Sequence, residues 1–225
     1  INIPLFILSG GANILVSDKG FPGIVLKSED RTLKITGERV AVGAGVPLLY
    51  LAQETAKAAL TGAEFCAAIP GAVGGAIRGN AGAFGGEMRD IVERVDVYDG
   101  AVKRVFSNSD CEFRYRGSGI KDHNRSNTNQ WIVLGATLRL RPGDRALLQQ
   151  TIRELLQKKS WSQSLNEPSA GCAFKNVPIS RDFWDDSTHC SWKEALPKGI
   201  LESGQIPAGW LIDQANQADR CRFII

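Results

Sequence analysis

Histidine is scarce in this chain: His123 and His189 are the only two among 225 residues. The five cysteines (Cys66, Cys111, Cys172, Cys190, Cys221) form an odd set, and none is spaced as CxxC. These shortages exclude the usual zinc-ligand patterns, so no metal is expected. They also exclude a fully paired disulfide framework and favour a reducing compartment, hence a cytoplasmic protein. No apolar run reaches the length of a membrane-spanning helix. Net charge is only +3, from 27 basic and 24 acidic residues. That balance argues against a dedicated nucleic-acid-binding surface. Neither a secretory leader nor an initiator methionine is visible. The chain opens inside an apolar run, Ile3 to Leu8, and residues are therefore expected in front of Ile1.

Glycine, in contrast, is concentrated. Ile69 to Gly86 reads IPGAVGGAIRGNAGAFGG, with seven glycines, four alanines and one proline. Glycine tolerates positive φ and permits close backbone approach, at an entropic cost on folding. Successive exposed N–H groups in such a segment form concave anion sites, which suit a phosphate or pyrophosphate. The competing reading is a flexible linker or a tight helix contact through small residues. Linkers of that kind are polar and serine-rich, whereas Ile69, Val73, Ile77 and Phe84 recur through this run and read as anchors. A second candidate cradle is Ser9-Gly10-Gly11-Ala12-Asn13, between apolar runs at 4–8 and 14–16. Neither segment fits GxGxxG between strand and helix, or GxxxxGK[ST]. The residues alone therefore suggest a pyrophosphate-bearing ligand held by backbone from two separate segments.

At 225 residues the chain allows one large domain or two ordinary ones. Short strands are expected at 4–8, 23–27, 33–36 and 39–43, bounded by turn residues. A helix is expected after Pro47, where Leu48, Leu51, Ala52, Ala56 and Ala59 keep helical spacing. Strands at 91–98, 102–106 and 131–140 follow, then a packing helix at 145–159. Residues 160–168 read as a connection and 180–205 as an insertion. Because strands and helices do not alternate regularly, the expected class is α+β.

Several stretches resemble the UDP-N-acetylenolpyruvoylglucosamine reductase family. They are Ser9-Gly10-Gly11-Ala12-Asn13 with Val16-Ser17-Asp18, Glu64-Phe65 leading to Ile69-Pro70-Gly71, and Asn80-Ala81-Gly82-Ala83-Phe84-Gly85-Gly86-Glu87. Further along come Phe113-Arg114-Tyr115-Arg116-Gly117-Ser118, then Pro168 through Asn176, and Ala208-Gly209-Trp210-Leu211-Ile212. They cover most of the chain and occur in the family's order.

The resemblance implies a two-part FAD-binding domain of the vanillyl-alcohol-oxidase type, at 1–45 and 46–143, and a smaller α+β substrate-binding domain at 144–225. It implies that NADPH reduces the flavin, and that hydride from flavin N5 converts the enolpyruvyl ether of UDP-N-acetylglucosamine into UDP-N-acetylmuramate, a peptidoglycan precursor. The cofactor would be touched by Gly10, Gly11, Ala12 and Asn13, by Pro70, Gly71, Gly74 and Gly75, and by Asn80, Ala81, Gly82 and Ala83. Arg116 matches the family's carboxylate-binding arginine, a role suited to a permanently charged, bidentate guanidinium. Cys172 matches the proton donor, which is serine in the best-known members of the family and cysteine in others. A thiol is much the stronger acid, which eases proton transfer to carbon. Tyr115, Ser118, Lys175 and Asn176 would contact the UDP-sugar substrate, with Lys158 or Lys159 as a further charge. The protein is expected to act as a monomer.

The chain departs from the family pattern in three places. A strand expected before the first glycine turn is absent, and Val177 stands where proline usually follows the Lys-Asn pair. After Ala208–Asp213, Arg222 runs straight into Phe223-Ile224-Ile225, so residues are expected to be missing there, together with a C-terminal catalytic glutamate. No tyrosine lies between Arg116 and Cys172, as in the family's shorter class. Two alternatives remain open: another FAD oxidoreductase of the same superfamily, and a nucleotide-binding module without catalysis.

Overall fold

The computed structural model describes residues 3–126, 130–162, 169–179 and 204–217. The chain divides into two units, Ile1–Gly171 and Cys172–Ile225, so residue 144, the expected start of a substrate-binding domain, lies within the first. The expected insertion at 180–205 falls almost wholly outside the described residues, as does the end of the chain.

The first unit opens with strands β1 (Leu5–Leu8) and β2 (Ile24–Lys27), which pair in parallel, Leu5 opposite Ile24. Then come β3 (Leu33–Thr36) and β4 (Arg39–Gly43). In β4, Val40 and Val42 are buried while Arg39 and Ala41 are exposed, the period-two pattern of a sheet with one covered face. Helix α1 (Leu48–Lys57) starts directly after Pro47, whose missing N–H costs nothing there. It buries Leu48, Leu51, Ala52, Thr55 and Ala56, a single helical stripe. After the short β5 (Leu60–Thr61), a 3-10 turn at Glu64–Ala68 buries Phe65 and Cys66 and packs against α1.

The glycine-rich run is not one continuous loop. Residues Val73–Gly79 form a helix, α2, which buries Val73, Gly74, Ala76 and Ile77. Glycine is a poor helix former, but here it permits contact. A Cβ built on Gly74 would lie 2.9 Å from the Ala44 Cβ, so α2 sits nearly flush on the chain leaving β4. Beyond α2, β6 (Gly82–Ala83) and β7 (Gly86–Glu87) form a small hairpin. Ile69, Val73 and Ile77 are at least partly buried, as expected of anchors. Phe84 is not: it occupies the hairpin tip at 55% exposure and a φ of +50°.

Helix α3 (Met88–Ile91), β8 (Val92–Tyr98), β9 (Lys103–Ser107), α4 (Gly119–Ser126) and β10 (Ile132–Arg139) follow. The main sheet is antiparallel throughout, in the order β3-β4-β10-β8-β9. Then β11 (Arg141–Pro142) pairs with β5, and α5 (Arg145–Ser162) packs on α1 and the 3-10 turn through Leu148 and Ile152. Val40, Leu51, Ile77, Val95 and Leu138, all fully buried, mark the core between sheet and helices. In the second unit, β12 (Val177–Pro178) pairs with β13 (Gln205–Ile206), followed by α6 (Ala208–Gln217).

Candidate functional site

The two glycine segments lie against each other. A Cβ on Gly10 would fall 2.7 Å from the Gly71 Cα, closer than any real side chain sits to a backbone carbon. Gly11 and Gly71 hold φ values of +69° and +118°, open to glycine at little cost. The Ser9 hydroxyl accepts the Gly75 N–H at 3.1 Å, tying the first turn to α2. The amides of Gly10, Gly11, Ala12 and Gly71 have no acceptor among the described residues. Beside them is a cleft of about 260 Å³, bordered by Ser9, Gly10, Lys27, Arg31 and Ala72. Lys27 pairs with Glu29 on the same rim. Open amides, absent side chains and a flanking guanidinium fit a pyrophosphate, the central group of FAD. Pro70 is exposed and Gly74 buried at this end of the run.

At its other end, the run meets the arginine segment. Arg114 and Gly117 exchange both backbone hydrogen bonds, 3.1 and 3.0 Å, closing a two-residue turn with Tyr115 and Arg116 at its tip. Arg116 has a φ of +54°. Positive φ at the third turn position favours glycine, and a side chain held there costs on the order of 1 kcal/mol or more. The Arg116 guanidinium donates from Nη1 to the Gly82 carbonyl at 2.8 Å and lies 5.5 Å from the Tyr115 ring centroid. Lys121 Nζ donates to the Arg116 carbonyl at 2.8 Å, and Arg114 pairs with Asp122.

Two residues expected to touch ligands are turned inward. Asn80 is 1% exposed, with a φ of +43° that ends α2. Its Nδ2 donates to Glu87 Oε2 at 2.7 Å and to the Arg114 carbonyl at 3.1 Å, and its Oδ1 accepts the Arg89 N–H at 2.9 Å. Ser118 is fully buried, and its hydroxyl donates to the Arg78 carbonyl at 2.6 Å. Ala81 and Ala83 are partly buried on either side of Gly82.

Burial, reinforced by the charge of Arg125, holds Arg78 below the usual arginine range, and burial lowers Lys159 in the same way. Burial pushes the Cys66 thiol up, helped by the charge of Glu64. Cys111 is pushed up to about 11 by burial and the nearby Asp110. Cys172 is exposed, at the start of the second unit, where Lys175 is also exposed and Asn176 half-buried. The preceding Gly171, in the first unit, faces Asn13; a Cβ there would lie 3.2 Å from Asn13 Oδ1. No cluster of metal-ligating side chains occurs among the described residues, and no described helix is long and apolar enough to cross a membrane.

Residues 1–105 match the FAD binding domain family. A UDP-N-acetylenolpyruvoylglucosamine reductase of Methylorubrum extorquens is 33% identical over 95% of this chain and 67% of its own length. This chain belongs to the UDP-N-acetylenolpyruvoylglucosamine reductase family. The reductase of Carboxydothermus hydrogenoformans is 43% identical over 88% of the chain and 63% of its own length. The crystal structure of the Thermus caldophilus reductase superposes with a TM-score of 0.67 at 31% identity, covering 86% of this chain and 67% of that one. The family match and the structural likeness agree with the α+β fold and FAD as cofactor. The chain spans about three fifths of the length of the first curated relatives it matches.

Sequence reasoning missed Glu87. It caps α3 in a reciprocal box with Asp90 while its carboxylate receives Asn80 and Arg89. The spacing Glu87-Met88-Arg89-Asp90 was the available signal.

Proposed function

We propose that this protein is an FAD-dependent oxidoreductase that reduces UDP-N-acetyl-enolpyruvoylglucosamine to UDP-N-acetylmuramate with NADPH, acting as a cytoplasmic monomer. One observation carries the reading: Arg116 sits in a strained turn with its guanidinium on the Gly82 carbonyl, at the far end of the same glycine run that borders the open-amide cleft. When bound, flavin would supply the hydride. The chain's own residues then do the rest. The Gly10 and Gly71 amides would hold the pyrophosphate. Arg116 keeps further N–H donors for the substrate carboxylate, where charge develops as hydride reaches the enolpyruvyl double bond. The exposed Cys172 thiol gives its proton to the adjacent carbon, leaving a thiolate that solvent reprotonates. By the family resemblance Lys175 and Asn176 would serve the diphosphate and Tyr115 the carboxylate, while Ser118 fixes the turn from beneath.

The test is to separate the two half-reactions. Cys172→Ala should abolish reoxidation of the reduced flavin by the enolpyruvyl substrate while bleaching of the yellow protein by NADPH persists. Survival of both would remove Cys172 from the reaction, and a purified protein that binds no flavin would favour the non-catalytic module.

A further inference from the structure

We propose that Asn80 is a positioning residue that holds the Tyr115–Arg116 turn in place, an inference that rests on the reductase reading of Arg116. An asparagine with positive φ at a helix end has an ordinary explanation, since that residue type tolerates the left-handed region and commonly stops a helix. Capping alone leaves the side chain unaccounted for. The amide of Asn80 is fully buried and its three contacts go to three different places. The Arg114 carbonyl it reaches is the same oxygen that accepts the Gly117 N–H and closes the turn. Its second donor contact, Glu87, belongs to the strand paired with Gly82, and Gly82 is the residue whose carbonyl receives Arg116. One carboxamide therefore fixes both the base of the turn and the strand on which its guanidinium rests.

Ser118 beneath the turn is buried as well, on the Arg78 carbonyl, but two further supports are exposed: the ion pair of Arg114 with Asp122 and the donation of Lys121 to the Arg116 carbonyl. Water competes for those. The bonds of Asn80 are shielded, so their loss would leave the Arg89 N–H without its acceptor and the turn free to shift. A misplacement of about 1 Å at a reacting group can cost on the order of a hundredfold in rate.

Asn80→Gly keeps the permitted backbone conformation and removes the carboxamide. In the full chain loaded with FAD, it should slow the substrate half-reaction by roughly 10- to 100-fold and leave flavin reduction by NADPH unchanged. In an Arg116→Ala background the same change should add nothing, because both act through one group. Hydrogen exchange at the Gly117 amide should accelerate at least about tenfold while the central-strand Val95 amide is unaltered, a readout independent of activity. Asn80→Asp, which keeps the acceptor for Arg89 and loses both donors, provides the same comparison if the glycine variant does not fold. Unchanged Gly117 exchange, or an equal rate loss in the Arg116→Ala background, overturns the proposal. An inert Arg116→Ala overturns the reductase reading as well, whereas an impaired Arg116→Ala beside an inert Asn80→Gly overturns the Asn80 assignment alone.

Discussion

Arg116 and Gly82 are joined by a 2.8 Å hydrogen bond across 34 positions of sequence, from a guanidinium on a strained turn to the backbone of the glycine-rich run. The bond occupies Nη1 and orients the rest of the fork. Lysine would retain the charge and lose the fork, so it could serve the Gly82 carbonyl or a substrate carboxylate, but not both in the same geometry.

Arg116→Lys is accordingly expected to slow the substrate half-reaction by about 100- to 1,000-fold, the range for loss of one oriented donor. The melting temperature should hardly move, since the side chain is exposed. Stopped-flow flavin reoxidation beside a thermal scan measures both. A rate within a factor of two of the parent would show that the fork is not used.

Gly10→Ala tests the cradle. Its Cβ would meet the Gly71 Cα at 2.7 Å, so the two glycine segments must part. FAD affinity should fall by at least about tenfold, equivalent to roughly 1.4 kcal/mol, as measured by fluorescence titration of the apoprotein. The neighbouring Gly11→Ala, which meets no atom closer than 3.9 Å, is strained only by its φ of +69° and serves as the comparison.

The hairpin between β8 and β9 sets an acid limit on stability. The Asp99 carboxylate accepts the Val102 and Ala101 amides and pairs with Arg104, and these hold its pKa well below the usual carboxylate range. A group whose folded pKa is depressed contributes stability above its unfolded value of about 4 and loses it as pH falls further. Asp99→Asn should therefore melt lower than the parent at neutral pH, and the gap should narrow below about pH 4. Thermal scans from pH 7 to pH 3 check this; a gap that stays constant would show that Asp99 is not the titrating group.

Much of this architecture could be read from residue patterns. The turn residues that bound 39–43 marked β4, and the helical spacing that begins at Leu48 marked α1, because both signals are local. Helix α2 was hidden, since glycine disfavours helices and only contact with Ala44 makes Gly74 useful there. Phe84 misled for the opposite reason: apolar spacing suggested an anchor, but the tight hairpin carries its tip into solvent. At the site, glycine content alone pointed to the Gly10–Gly71 cradle. Arg116 required the resemblance, because nothing about a lone arginine after a strand announces a function. The inward roles of Asn80 and Ser118 depend on partners 34 and 40 positions away, Arg114 and Arg78, which no local pattern encodes.

The meeting of Gly10 with Gly71 also limits how the chain can change over generations. Crowding between two side chains can be relieved by shrinking the partner. Here the partner atom is main chain and both residues are already the smallest available. A lesion at Gly10 therefore has no compensating substitution at Gly71. Genetic suppressors should map instead to positions that can move a whole segment, such as Ser9, whose hydroxyl holds Gly75, or Ala72, where α2 begins.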